Sequence, residues 1–475
     1  MFKVKTMASR FVISLLLVLL IATSVLAGQK HIFVAIGDGM GIEQIGLLQY
    51  YNEHVFDAKT NMTSIMKDAV IGIVRTGALD TPVTDSVAAS TALATGQKTN
   101  TGMVSMKPDG TKLTTVFENA KKKGYITALI TTDMVVGGTP ASFAAKAKSR
   151  KEYDSIAEQY IAMGVDYIIG GGMMHFVPEK EDKGKKIAGR KDGKDLLMDA
   201  KNKGYTVVTK LSDFEKLEKA SKLIALFSDK EIPFANADRD PTAIPSLQEM
   251  TEKFIELVSK ENKPFIAVIE GARIDHANHN NDAAATLEET RDFDGAVGAI
   301  YNFYEKNKSN TTVIITSDHS NGGMSFTCYK EKEKTICPTY EDLHNFKRIP
   351  FSFEKALKTL ESIYKGIKSG NPNMSDEEAY TKAVEQLLDE HLVGLKLSVE
   401  DIKALRTKKV NLVHQYQPQP SVLGRAYFPM IFTSWATSYH TATPVLSLSF
   451  GKGSEKLKGY IDNTEIAKIL FSLVD

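Results

Sequence analysis

Three apolar runs of this chain end in residues that bind cations. "FIAVIEGARIDHANH" closes on Glu270, Asp275, His276 and His279, "TTVIITSDHS" on Asp318 and His319, and "HIFVAIGDGMG" on Asp38. A lone Asp-His pair after a strand is ordinarily a turn or a helix cap. Three such ends on one buried sheet are different, because their carboxylates repel one another unless cations lie between them. Asp275 and His279 stand four apart, which on a helical turn puts both on one face. Mixed nitrogen and oxygen ligands suit zinc, and oxygen-only subsets suit magnesium.

A pair of metals so held can stabilise both the entering and the departing oxygen of a phosphoryl or sulfuryl transfer, and the chemistry then needs a nucleophile. "TPVTDSVAASTALATGQKT" supplies Ser86 at the start of a small-residue helix, where the dipole favours its alkoxide and a metal can take its proton without a histidine base. By itself "TDS" would be no more than a helix cap. "GGTPASFAAKAKSRKEY" offers Arg150, whose planar fork matches two phosphate oxygens. A dinucleotide loop is excluded at "IGDGMG". The third glycine comes one residue early for Gly-x-Gly-x-x-Gly, and Asp38 would set a negative charge against the pyrophosphate.

The elements that must position these groups are legible as alternating patterns. "VIGIV" at Val70, "ITALITT" at Ile126, "DYIIGGG" at Asp166, "KLIALF" at Lys222, "FIAVIEG" at Phe265 and "TTVIITSDH" at Thr311 lack polar alternation and are separated by segments of helical length. They predict an α/β fold: a three-layer α/β/α sandwich around a large, mostly parallel sheet buried on both faces, with ligands at the carboxyl ends of the strands. From Tyr340 the texture becomes charged and helical. Ser375 with Glu378 and Ser398 with Asp401 read as capping boxes, predicting a helical insertion over about 340–425.

The chain has 475 residues, 43% of them hydrophobic and 25% charged, which fits a globular protein and excludes a disordered one. Its formal net charge is +1, and residues 1–27 hold Lys3, Lys5 and Arg10 with no acid, so the remainder is slightly acidic. That balance argues against a nucleic-acid or membrane-surface binder. The same 27 residues, with the apolar run Phe11 to Ala27 and small residues at Val25 and Ala27, read as a cleaved signal peptide, so that 28–475 forms the catalytic domain in a periplasmic or secreted protein with no stable membrane association. The only cysteines, Cys328 and Cys337, are predicted to form a local disulfide.

"IGDGMG", "TDSVAASTALATGQKT", "GGTPASFAAKAKSRK", "EGARIDHANH", "TSDHS" and "SYHTATPV" stand in an order and context that resembles the alkaline phosphatases, over about Lys30 to Ser325 and Met430 to the C-terminus. The resemblance implies a phosphate monoesterase with Ser86 as the phosphorylated nucleophile and Arg150 gripping the phosphoryl oxygens. It implies two zinc ions, one held by Asp38, Asp318 and His319 and the other by Asp275, His279 and His440. It further implies one magnesium held by Asp38, Thr139 and Glu270, with His276 facing the phosphate through water or the magnesium shell. The family is commonly homodimeric. One departure stands out: the family usually has an aspartate or histidine two residues before the magnesium-side threonine, and this chain has Gly137. The expectation is that waters, His276 or Asp133 complete that shell, and that Gly137→Asp would tighten it. Two other readings remain open at this stage, a phosphodiesterase or sulfatase of related fold and an inactive metal-binding secreted module.

Overall fold

The computed structural model describes residues 30–182, 185–236, 238–392, 394–407 and 418–475, so the expected signal peptide lies outside the described residues. Ten strands form one sheet: β1 (His31–Gly37), β2 (Val70–Arg75), β3 (Ile126–Met134), β4 (Tyr167–Gly171), β5 (Thr206–Val208), β6 (Leu223–Leu226), β7 (Phe265–Gly271), β8 (Thr311–Thr316), β9 (Val445–Phe450) and β10 (Gly459–Asp462). Across the sheet the order is β10, β2, β9, β8, β1, β7, β3, β4, β6, β5. β9 runs antiparallel to both its neighbours, and every other pairing is parallel.

Most of the apolar runs form strands because both faces of the sheet are covered there; β2, next to the edge strand, departs from the expectation, with Ile71 and Ile73 exposed on one face. Along β1, Phe33 and Ala35 join one core with residues of helices Leu247–Val258 and Ala283–Lys306, while Ile32, Val34 and Ile36 join a second core with residues of Val116–Lys122, Tyr153–Met163 and Thr464–Val474. A strand whose successive side chains both meet a helical layer has no polar face to show. The covering helices show the complementary pattern. In Leu247–Val258 the buried residues Leu247, Met250, Phe254, Leu257 and Val258 recur at helical spacing, behind a capping box of Ser246 and Glu249.

Strands β8, β1, β7 and β3 are adjacent and parallel, so their carboxyl ends open on one edge of the sheet. Three short helices follow or face those ends: α1 (Ser86–Thr95), α2 (Gly138–Ala144) and α3 (Arg273–His279). The connection from β8 to β9 carries a hairpin closed by the Cys328–Cys337 disulfide, then helices including α4 (Phe353–Gly370), Asp376–Glu390, Val399–Thr407 and Pro418–Ile431. Phe353, Leu360, Val384 and Leu387 belong to the same apolar cluster as Phe33, so the insertion extends the core of one face. Of its two expected caps, Ser398 and Asp401 bond reciprocally, while Ser375 accepts from the Glu378 N–H as a simple N-cap.

Candidate active site

Ser86 is the first residue of α1, and Asp85 caps the helix by accepting from the Ala88 N–H at 3.0 Å. All ten residues of α1 are buried, which its run of Ala, Ser, Thr and Val permits by allowing close packing on α2. There Ser90 Oγ donates to Thr139 Oγ1 at 3.1 Å, and Ser142 Oγ donates to the Val87 carbonyl at 3.1 Å. Ser86 is thus fixed at a dipole-positive helix end.

Its hydroxyl lies 3.3 Å from His319 Nε2. The same nitrogen is 3.3 Å from Asp318 Oδ2 and 3.5 Å from Asp38 Oδ1. In a serine–histidine–acid triad the acid sits on the imidazole nitrogen remote from the serine; here both acids and the serine converge on one nitrogen. That convergence fits a cation among them. Asp38 Oδ1 and Asp318 Oδ2 are moreover buried without a hydrogen-bond partner, an arrangement that is costly unless a metal takes them.

A second convergence adjoins the first. Asp275 Oδ2 is 3.2 Å from His279 Nε2, and the two imidazoles of His279 and His440 bring their Nε2 atoms to 3.0 Å. Their Nδ1 atoms donate instead to the Ser438 carbonyl at 2.7 Å and the Thr84 carbonyl at 2.8 Å. Carbonyls accept only, so each Nδ1 carries the proton and each Nε2 is left as a lone pair aimed inward, as metal-bound histidines are usually set. His440 reaches this point because Ser320–Asn321 pairs with His440–Thr441 in a short antiparallel ladder. Among the described residues, two Asp/His triads bring ligand atoms within 4.8 Å of one another: Asp38, Asp318 and His319, and Asp275, His319 and His440.

Gly39 runs between these clusters at φ +66, and a Cβ there would press on the Asp275 carboxylate. That φ and that lack of room require glycine, and its N–H donates to Asp318 Oδ1 at 3.1 Å. The crowding of acids shows in their protonation. Burial, then Asp318, Asp275 and Glu270, push Asp38 well above the usual carboxylate range. Burial and Asp275 push Asp318 up to about 7. Burial and Asp133 push Glu270 up to about 8. Burial opposes the charge on Asp275 too, but His279 and His440 outweigh it and hold that carboxyl low.

Glu270 and Thr139 lie behind these groups, both buried, with the Thr131 hydroxyl donating to Glu270 Oε2. Gly137 is explained by its neighbour: a Cβ there would stand 3.0 Å from Asp133 Cγ and closer still to its Oδ2. The Asp133 carboxylate occupies the space a side chain at 137 would enter, so the expectation that Gly137→Asp simply tightens a metal shell is revised. The new carboxylate would have to displace an existing one. In front, a pocket of about 470 Å³ is lined by Asp38, Ser86, Asp133, Arg150, His276 and His440, among others. Arg150 Nη1 pairs with Asp85 Oδ2 at 3.2 Å, and Asp85 and Asp38 outweigh burial in keeping the guanidinium charged.

Comparison with known proteins agrees with this geometry. The family model for alkaline phosphatase matches residues 29–475. The chain belongs to the alkaline phosphatase family. It is 31% identical over 453 residues to alkaline phosphatase 3 of Bacillus subtilis, covering 93% of this chain and 88% of that one. It is 30% identical over 343 residues to the alkaline phosphatase of Escherichia coli, covering 62% and 71%. The crystal structure of Thermus thermophilus alkaline phosphatase superposes with a TM-score of 0.79 at 26% identity, covering 93% of this chain and 90% of that one. As a member of this metal-dependent family the chain is a phosphomonoesterase.

The structure brings Asp38, Ser86, Arg150, Asp275, His276, His279 and His440 to one pocket, with Asp318, His319, Thr139 and Glu270 directly behind it. Sequence reasoning gave no role to Asp85, Thr131 or Arg273. Asp85 carried a signal as the residue before Ser86, and Arg273 as the residue one helical turn before His276. Thr131 carried none, because it meets Glu270 only through the pairing of β3 with β7.

Proposed function

We propose that the chain hydrolyses phosphate monoesters through a phosphoserine at Ser86, in a site built for two zinc ions and one magnesium. The convergence of Ser86 Oγ, Asp38 and Asp318 on His319 Nε2 carries this reading, with Arg150 opening on the same pocket. Asp38, Asp318 and His319 would hold one zinc, Asp275, His279 and His440 the other, and Asp38, Thr139 and Glu270 the magnesium. Bound there, the ions supply positive charge where the serine alkoxide forms and where the alcohol oxygen departs. Ser86 Oγ attacks phosphorus, the ester oxygen leaves as alcohol, and water then opens the phosphoserine to return serine and inorganic phosphate. Arg150 orients the phosphoryl oxygens through its fork while Asp85 fixes the guanidinium. The carbonyls of Ser438 and Thr84 keep His279 and His440 in the tautomer that presents Nε2.

The leader at 1–27 supports export to a periplasmic or extracellular compartment, with 28–475 as one catalytic domain. The test is hydrolysis of a monoester, a diester and a sulfate ester by purified protein stripped of metal, then given zinc and magnesium separately and together. Monoester turnover restored fully only by both metals is expected. Preference for the diester or sulfate ester, or activity indifferent to chelation, would overturn the reading.

A further inference from the structure

His276 lines the pocket that holds Ser86 and Arg150, yet it belongs to neither Asp/His triad. Its Nδ1 lies 2.7 Å from Nη1 of Arg273, three residues earlier on α3. A guanidinium only donates, so His276 Nδ1 must accept, and the proton of a neutral ring sits on Nε2. Arg273 therefore decides which atom of His276 can donate.

Arg273 is itself held from outside the catalytic sheet. Its Nη2 donates to Glu354 Oε2 at 3.2 Å, and its guanidinium carbon sits 3.6 Å over the Phe234 ring. Glu354 is the second residue of α4, in the insertion, and that first turn is pinned to the region around α3. Ser352 caps α4, its N–H donates to Asp238 Oδ1 at 3.1 Å, and the Phe353 N–H donates to Asp282 Oδ2 at 2.7 Å. The Arg273 side chain is 7% exposed and Glu354 38%, so the pair sits at the seam between insertion and site. Arg273 Nε is buried with no hydrogen bond, so His276, Glu354 and Phe234, and no ring of acceptors, orient the group.

We propose that Arg273 and Glu354 are positioning residues for His276: the insertion, through Glu354, sets Arg273, and Arg273 turns the His276 Nε2–H toward the phosphoryl group in the pocket. This rests on the phosphomonoesterase reading of the site and gives the insertion a part in it. The group served is a phosphate or phosphate ester, for which one neutral donor beside Arg150 adds a hydrogen bond to an oxygen or to its bound water.

The relay is tested by competitive inhibition with inorganic phosphate, alongside kcat and KM for a monoester, in Arg273→Met, Glu354→Gln, His276→Asn and the two doubles with His276→Asn. One lost hydrogen bond is worth about a fivefold rise in the phosphate inhibition constant for Arg273→Met and for His276→Asn. Glu354→Gln shifts it in the same direction by about twofold, since it loosens the donor without removing it. The decisive result is coupling: in the His276→Asn background, Arg273→Met and Glu354→Gln add nothing further. If their effects multiply those of His276→Asn, each acts independently and the relay is overturned. Glu354 is partly exposed, so Glu354→Gln decides the matter even where Arg273→Met does not fold. An unmutated protein inert toward monoesters overturns the reading of the site itself, whereas an active one with multiplicative effects overturns only the relay.

Discussion

Alanine at Gly137 is a one-carbon change with a large consequence. The added Cβ would stand 3.0 Å from Asp133 Cγ and 3.0 Å from the Met134 carbonyl, where ordinary contact begins at 3.4 Å. The backbone has little room to yield, because the Gly137 N–H donates to Met134 O at 2.7 Å and its carbonyl accepts from the Ala141 N–H at 3.0 Å. Asp133 must move. Burial, then Glu231, already push that carboxyl up to about 6, with Arg150 and Arg273 offsetting them, so moving it disturbs charges on both sides of the pocket. Overpacking of this kind costs roughly 1–3 kcal/mol. For a chain this long that lowers Tm by roughly 1–3 °C. Scanning calorimetry measures the loss, and metal analysis of protein loaded with zinc and magnesium, followed through graded chelation, shows whether the proposed magnesium departs earlier than in the parent while the proposed zincs stay. Adding Asp133→Ala should recover most of the stability by clearing the space, and Gly137→Asp should retain magnesium only when Asp133 is also removed. A Gly137→Ala protein as stable as the parent, or one that Asp133→Ala fails to rescue, refutes the argument.

Ser86→Ala should abolish incorporation of phosphate from substrate, read by intact-protein mass, and with it nearly all turnover; stoichiometric labelling of the variant would remove Ser86 from its role. Arg150→Lys keeps the charge and loses the fork, so phosphate inhibition should weaken by roughly 1–2 kcal/mol, about five- to thirtyfold, after discounting for a side chain 33% exposed. Unchanged inhibition would take Arg150 out of the pocket. His31 stacks on Phe265 at 4.5 Å, and burial lowers its pKa from 6.5 to about 4. Between those values the unfolded chain binds a proton that the folded chain refuses, so stability is lost as pH falls from 6.5 toward 4. Denaturant unfolding across that range should show a shallower decline for His31→Gln than for the parent, and parallel curves would sink the assignment.

What the sequence showed of the sheet followed burial. Five of the six apolar runs are strands covered on both faces, the condition under which a strand loses its alternation, whereas "VIGIV" keeps its apolar residues although Ile71 and Ile73 are exposed on one face. β9 escaped notice because "VLSLSF" alternates with serines that the fold nonetheless buries, and β5 because it has three residues. The Asp275 and His279 spacing was legible since it is local to one helix; the 3.0 Å meeting of His279 with His440 depends on a ladder between distant loops. Asp133 could be suspected of completing a shell, but its place against Gly137 follows from how β3 gives way to α2, a backbone geometry that no residue pattern encodes.

The late arrival of His440 has a bearing on how the protein acquires its metals during synthesis. A chain made from its N-terminus holds Asp38, Asp318 and His319 before the insertion begins. Asp275 and His279 are present too, but their partner follows the whole insertion. A nascent chain therefore offers one finished set of donors beside an unfinished Asp/His pair, and such a pair has no geometry with which to refuse copper or nickel, which outcompete zinc or rival it on affinity alone. Selectivity at the second position is acquired only when the ladder at Ser320–Asn321 closes on His440–Thr441. The donor set at the second position is thus complete only once the last stretch of chain has folded back onto the loop after β8.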